Sequence, residues 1–395
     1  MNPGAAPRRD EVAGQLLYLG VRRLDTRHGV VDAHIAQNLS TGAHAFALTV
    51  GDVRSRSPLL ARVHSSCITS ETLGGCDCDC DEQLDAALER IARAGRGIVF
   101  YLLQEGRGAG FGAKARDRMI VQASGNRVTT FEAYAGMGLE HDLRRYEEVG
   151  FLCRLLRVRA PLTLLTNNPD KLKAVRGVEG VEVDASVSLS RAPSPYNIHY
   201  LSSKARSGHS LGDPVAVAGA VFPEPVVTFE PFALPEDPRF VLLASYFLPI
   251  RPFGNGNVTS APHWFRLFAY FDVVDGCDRI VLAYGQREEG PPLVRVQREF
   301  LLERFAPAGS ETGKVRWHEC VREMVVHGAG LAAFVAPAGF APDLSELPGD
   351  STAPEMLLAR HVGHRTTHPT ARDTDAAATA AQPGAERRTE PVQGR

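Results

Sequence analysis

No run of apolar residues in this chain approaches the ~20 needed to cross a bilayer, and the formal charge is only −2 over 395 residues. The first absence argues against a membrane-spanning helix. The second removes any general electrostatic reason to expect nucleic acid or an anionic membrane as a partner. The opening MNPGAAPRRDEVAGQ lacks the apolar core of a secretory signal. Cysteines number seven, and Cys153, Cys277 and Cys320 stand alone, which excludes a disulfide framework. With 44% hydrophobic and 23% charged residues, the expectation is a cytoplasmic globular protein of about two or three domains.

The remaining four cysteines are crowded. Cys67, Cys76, Cys78 and Cys80 fall in RVHSSCITSETLGGCDCDCDEQL. Three thiolates leave a tetrahedral zinc ion one open position, as a catalytic site requires, whereas four close it. In an extended backbone residues 76, 78 and 80 share a face, with Cys67 arriving from the end of the preceding strand. A structural zinc knot is one competing reading, although knots pair C-x2-C clusters and no second pair follows. Reactive or inert thiols are the other.

Strand-like and helical patterns alternate from about 17 to 210, predicting a mixed α/β fold. Phe46 to Val50 and Leu59 to Val63 read as strands. Leu84, Ala87, Leu88 and Ile91 form one apolar helix face, and IVFYLL (98–103) resumes as a buried strand. LTLLT (162–166) runs into Asn167-Asn168-Pro169, a turn that can start a helix. The expected domains are a flexible N-terminus (1–16), a catalytic domain (17–211), a Pro-rich linker (212–237), a second and smaller α/β domain (238–345) and a disordered tail (346–395).

The second domain echoes the first. PLLARV (58–63) and PPLVRV (291–296) align at an offset of 233, which also sets Gly95 and Gly97 on Gly328 and Gly330 and Ile91 on Met324. The expectation is a degenerate internal repeat. Cys67, Cys78 and Cys80 fall opposite Phe300, Glu311 and Gly313, so the second copy has no equivalent zinc ligands and is expected to pack on the first as a pseudo-dimer partner.

Gln104-Glu105-Gly106-Arg107-Gly108-Ala109-Gly110 follows the buried strand. Such a loop lets backbone N–H groups and a guanidinium approach phosphate oxygens. Lys114 and Arg116 lie just beyond, either as further cations of the site or as a solvated helix face. Asp142-x-Arg144 carries no meaning alone. Thr166 to Lys171 places hydroxyl, amide and ammonium groups at a strand end.

In this order and spacing, from about Leu24 to Leu211, C-x10-C-x-C, DEQLDAAL, QEGR-x-x-G-x-x-x-K, D-x-R, LLTNNPDK and NIHYLSSKARSGHSL resemble the GTP cyclohydrolase II family. That family opens the imidazole ring of GTP at the start of riboflavin synthesis. The resemblance implies one Zn²⁺ on Cys67, Cys78 and Cys80, with Cys76 unmatched. It implies nucleotide contacts from Arg62, Val63, His64, Ser65, Ser66, Glu105, Gly106 and Arg107, with Gln83 on the guanine edge and Thr130, Thr166 and Lys171 completing the site. Asp142 fills the position of the proton acceptor and Arg144 that of the nucleophile. The implied substrate is GTP with Mg²⁺ on its triphosphate, and the implied products include formate and pyrophosphate.

The chain departs from the family at two places. RVHSE reads RVHSS, so Ser66 replaces a carboxylate. K-x-R-A-Y reads K-A-R-D-R, so Arg118 (or Met119) replaces a tyrosine. Ring opening that stops at the formamidopyrimidine, and a non-catalytic nucleotide-binding regulator, are the alternatives. The expected partners are GTP and an intramolecular pseudo-dimer half or a second copy, with no nucleic acid or membrane.

Overall fold

The computed structural model describes residues 16–40, 42–189, 192–211, 239–252, 261–285, 291–298, 301–305 and 313–335. The expected flexible N-terminus (apart from Leu16), the linker at 212–237 and the tail at 346–395 lie outside the described residues.

Seven strands build the first sheet: β1 (Leu16–Thr26), β2 (Gly29–Asn38), β3 (His44–Val50), β4 (Leu59–Ser65), β5 (Gly97–Leu102), β6 (Leu162–Leu165) and β7 (Val183–Val187), in the order β1-β2-β3-β5-β4-β6-β7. β5 is buried along its whole length, as a continuous apolar run covered on both faces should be. On one face the helix Cys80–Arg93 buries Leu84, Ala87, Leu88 and Ile91, the predicted stripe. On the other, the helix Glu147–Leu156 buries Val149, Leu152, Cys153 and Leu156. The Asn168 side chain caps the helix Pro169–Arg176 by accepting from the Asp170 and Lys171 amides.

Five strands build the second sheet: β8 (Phe240–Ile250), β9 (His263–Asp272), β10 (Cys277–Gly285), β11 (Leu293–Arg298) and β12 (Ala329–Val335), in the order β8-β9-β10-β12-β11. This order matches β1-β2-β3-β5-β4, and the match extends to hydrogen-bond register. Leu60 pairs with Gly97 in the first parallel ladder, and Leu293 with Gly330 in the second, both displaced by 233. The bulge between Tyr18 and Gly20 recurs between Leu242 and Ala244. Gly51 (φ 63°) and Gly285 (φ 58°) each bring the chain so close to a carbonyl, Gly95 or Gly328, that a Cβ would sit 2.2 or 2.0 Å from it. Only glycine satisfies both demands.

The cores correspond residue by residue. Leu84, Ala87, Leu88 and Ile91 pack under the first sheet, and Trp317, Cys320, Val321 and Met324 of the helix Gly313–His327 under the second. Each core also receives a piece of the other half. Ile68, from the turn Ile68–Glu71, and Leu73 enter the second core. Leu301, Leu302 and Phe305, from the matching turn Leu301–Phe305, enter the first. At the crossing point, Arg304 lies 3.5 Å from Glu71, its own counterpart at the 233 offset, and 2.5 Å from the Tyr101 hydroxyl. The two sheets therefore meet by reciprocal contacts, as in an isologous dimer.

One local expectation fails. Residues 76–79 do not form an extended strand; they bend, and Cys80 begins a helix with Asp79 as its N-cap. Gly74 (φ 78°) and the aspartates favour a turn over extension.

Candidate functional site

The three cysteines converge because three different local structures end at one place. Cys67 caps the turn that follows β4, Cys78 sits in the bend, and Cys80 starts the helix Cys80–Arg93. Their sulfurs lie within 4.8 Å of one another, and Cys67 and Cys78 are 3.7 Å apart. Tetrahedral zinc with ~2.3 Å bonds to sulfur requires about 3.8 Å between ligands. Cys76 stands aside, its sulfur directed to the Gly74 carbonyl at 3.5 Å. The donor set therefore fits a metal with three protein thiolates and one open position.

Hydrogen bonds from Cys78 and Cys80, aided by Lys114, hold the Cys67 thiol well below its ordinary pKa. The same bonds to Cys67 push Cys78 and Cys80 up. The Lys114 ammonium donates to the Cys67 sulfur at 3.0 Å and to Glu105 at 2.6 Å. Burial alone would lower the pKa of Lys114, but Cys67 and Glu105 keep it well above normal.

Asp79, between two of the cysteines, links them to the strand ends. It accepts from Lys204 at 2.7 Å and from Gln83, and Gln83 accepts from Arg62 at 2.6 Å. Arg62 also donates to the Leu165 carbonyl at the end of β6. Lys171 donates to the Val63 carbonyl at 3.1 Å. Burial, then Arg144 and Arg62, lower its pKa well below the usual lysine value.

The glycine-rich loop carries two consecutive left-handed residues, Gly106 (φ 58°) and Arg107 (φ 56°). A Cβ at Gly108 would meet the Leu143 and Arg144 backbone at 2.9 and 3.0 Å. Glycine there lets the 142–144 segment dock on the loop, sealed by the Leu143 amide to the Arg107 carbonyl at 2.9 Å. Arg107, stacked 4.0 Å over Phe131, joins Asp142, Arg144, Asn168 and His209 around a cleft of about 360 Å³. Asp142 binds Arg144 through both carboxylate oxygens. Burial would raise Asp142, but this pairing leaves it below the usual carboxylate range. His209 is pushed down to about 4, by burial and then by Lys204, Arg107, Arg144 and Lys171. A neutral histidine thus sits among cations.

The structure brings together Cys67, Cys78 and Cys80, with Glu105 held to Cys67 through Lys114, ties Arg62 to Gln83 and Asp79, sets Lys171 against the Val63 carbonyl, and places Arg107, Asp142 and Arg144 around the cleft. The Thr166 hydroxyl accepts from the Asn168 amide at 3.2 Å. Ser65 ends β4, and the amide of Ser66, just beyond it, donates to the Leu102 carbonyl. Other expected residues have different company. His64 is buried, pairs with Glu71 at 2.8 Å and stacks on Tyr101, towards the second sheet. The Val63 side chain is core. Thr130 donates to Asp117 at 2.9 Å and lines, with Arg118 and Tyr200, a separate small cavity. Lys114 is buried in the site, whereas Arg116 is exposed and reaches the Leu243 carbonyl. Asp79, Tyr200, Lys204 and His209 were missed as site residues, although the closing NIHYLSSKARSGHSL motif that carries three of them was visible.

A cluster of three cysteines that could hold a metal, at the strand ends of an α/β sheet, and a cleft lined by Arg107 and Arg144 together with Glu140, Asp142 and Asp170 make up the candidate site of a hydrolase. The family model of GTP cyclohydrolase II matches residues 19–188. GTP cyclohydrolase-2 of Azotobacter vinelandii is 38% identical over 198 residues, covering 50% of this chain and 93% of that protein. The enzyme of the same name from Aeromonas hydrophila is 40% identical over 169 residues, covering 43% and 83%. The chain belongs to the GTP cyclohydrolase II family. Among solved structures, a two domain 3,4-dihydroxy-2-butanone 4-phosphate synthase from A. baumannii aligns with a TM-score of 0.27 at 14% identity, and the chain spans 44% of it.

Proposed function

We propose that the protein is a zinc-dependent hydrolase that opens the imidazole ring of GTP at C8 and releases formate and pyrophosphate, leaving a diaminopyrimidinone ribosyl phosphate. The observation that carries this reading is the physical continuity of the two halves of the site. The sulfurs are spaced as zinc requires, and Asp79, the chain neighbour of Cys78 and Cys80, bonds Gln83, which accepts from Arg62 of β4, so the cysteine segment is tied to the strand that runs into the site. Held by Cys67, Cys78 and Cys80, zinc would supply Lewis acidity and activate water near neutral pH.

The protein's own groups would do the rest. Gln83 keeps one amide hydrogen and one carbonyl lone pair free after its bonds to Asp79 and Arg62, which suits a guanine edge. Lys114, protonated beside Cys67, fixes Glu105 and balances thiolate charge. Arg107, Arg144 and Lys171 hold the triphosphate, with Mg²⁺ travelling on the substrate. Burial would lower Arg144, but its bonds to Asp142 raise it above the ordinary guanidinium value. It therefore serves as a fixed cation better than as a nucleophile. Asp142 can accept a proton only after loosening from Arg144. The second sheet acts as a built-in dimer half without counterparts of Cys67, Cys78 and Cys80.

Full-length protein incubated with GTP, Mg²⁺ and Zn²⁺ tests the proposal. Formate, pyrophosphate and loss of purine absorbance together support it. Absorbance loss without formate indicates a reaction that stops at the formamide. That is the alternative favoured by Arg118, which is paired with Asp77 and stacked on Tyr200. No change in GTP leaves a nucleotide-binding regulator.

A further inference from the structure

β8 is the edge strand of the second sheet, and the first half covers that edge. The Gln122 side chain donates to the Phe247 carbonyl at 2.6 Å and accepts from its amide at 2.8 Å. The Cys76 amide donates to the Pro249 carbonyl at 2.8 Å, and the Arg251 amide donates to the Gly74 carbonyl at 3.0 Å. β8, paired with β9 on its inner side, is thus hydrogen-bonded at Phe247 to the helix Phe111–Ala123, which carries Lys114 and Arg118, and at Pro249 and the following Arg251 to the segment that leads into Cys78. Tyr246 directly precedes these anchors in the strand.

Tyr246 is 3% exposed and packs in a cluster with Ile68, Phe111 and Ala115 of the first half. Its hydroxyl is fully enclosed and has no hydrogen-bond partner among the described residues. The charged groups that bear on it are Asp77, Lys114, Arg118 and Cys67. A buried hydroxyl left without a partner costs about 1–3 kcal/mol, and such a group calls for an explanation. The internal repeat makes the position more pointed. Register places Arg22 of β1 opposite Tyr246 of β8, and Arg22 is exposed on the outer face. The phenol is thus particular to the second half, and its ring packs in the cluster of Ile68 and Ala115, the chain neighbours of Cys67 and Lys114.

We infer that the second half completes the reaction chamber: Tyr246 donates a hydrogen bond to the molecule held in front of Cys67, Cys78 and Cys80, either water or the imidazole portion of a purine. Burial pushes its phenol above the ordinary tyrosine range, so it keeps its proton and acts as a donor. In this role the degenerate repeat is a contributor to the site as well as a packing partner. The inference rests on the nucleotide-hydrolase reading for the substrate, and on the geometry alone for the position of the hydroxyl.

Tyr246→Phe in the full-length protein tests it. With GTP, kcat should fall on the order of 100-fold, the usual effect of removing one donor at a reacting group, with KM little changed and zinc content intact. The ligand-free melting temperature should stay equal or rise, because an unpartnered hydroxyl has been removed. Unchanged kcat, or a clearly lower melting temperature, overturns the inference; the latter would mean that the hydroxyl holds the fold. If wild-type protein leaves GTP intact, the nucleotide reading fails by itself. The Co²⁺-loaded proteins then decide the position of Tyr246. A visible spectrum that differs between wild type and variant supports the hydroxyl at the open coordination side, and superposable spectra overturn it.

Discussion

Leu84, Ala87, Leu88 and Ile91 in one half, and Trp317, Cys320, Val321 and Met324 in the other, hold equivalent places beneath equivalent sheets. Yet one helix opens with Cys80 and the other with Gly313. Apolar spacing, the edge-strand bulge and the turn glycines persist in both copies, because each is needed to fold the sheet. The cluster of three cysteines, the glycine-rich loop and β6 with β7 occur in the first half alone among the described residues. Fold and chemistry are thus carried by different residues of one pattern, so the second copy could lose the chemistry while keeping the fold. Arg62 and its counterpart Arg295 make the point in a single position: the first is buried at a strand end against Gln83, the second pairs with the half-exposed Glu323 at 2.9 Å.

The contrast breaks most sharply at the metal. Cys78→Ser should lose ring opening to the uncatalysed background and lower zinc content. Cys76→Ser should retain one zinc per chain and near wild-type turnover, read by metal analysis and the formate assay. Zinc loss in the Cys76 variant would mean a closed four-thiolate centre and no division of this kind between the halves.

A second effect concerns the seam. Arg304→Met leaves the buried Glu71 with His64 and Tyr101 but without its cation, and should cost about 3 kcal/mol in denaturant unfolding. Arg295→Met removes a pair that faces solvent on one side and should cost under about 1 kcal/mol. Equal losses would show that the crossing point is no stronger than the surface.

The smallest effect compares matched glycines. A Cβ at Gly97 would meet the Leu60 carbonyl at 2.7 Å and Ile91 at 2.8 Å, whereas one at Gly330 would meet only Met324 side-chain atoms, the nearest at 2.5 Å. Methionine adapts where backbone and a β-branched side chain do not. Gly97→Ala should therefore cost about 2 kcal/mol and Gly330→Ala about half of that, measured by urea titration. The reverse order would mean that the two packings are less alike than their registers.

The repeat was only partly legible in the sequence. A single offset of 233 aligned β4 with β11 and β5 with β12, because the paired positions Leu60 and Gly97 are as far apart in the chain as Leu293 and Gly330. β2 and β9 correspond at 234 but β1 and β8 at 224, since two residues separate β1 from β2 and twelve separate β8 from β9. A hairpin of different length hid the match from any ungapped comparison. The bend at 76–79 was misread as a strand because alternation is a weak signal over five residues, and glycine and aspartate chemistry overrode it.

By itself, the sequence determined the cysteine trio, the helix stripe that begins at Leu84, the cap at Asn168 and the loop around Arg107. Each of these depends on neighbours a few residues away, where spacing translates directly into geometry. Only the tertiary structure decided that Glu71 meets Arg304, that Leu73 and Phe305 exchange cores, that Lys204 reaches Asp79, and that Tyr246 packs with Ile68 and Ala115. Those contacts join residues that are more than a hundred positions apart. Such pairs are chosen by how two finished sheets pack, and no local period records them.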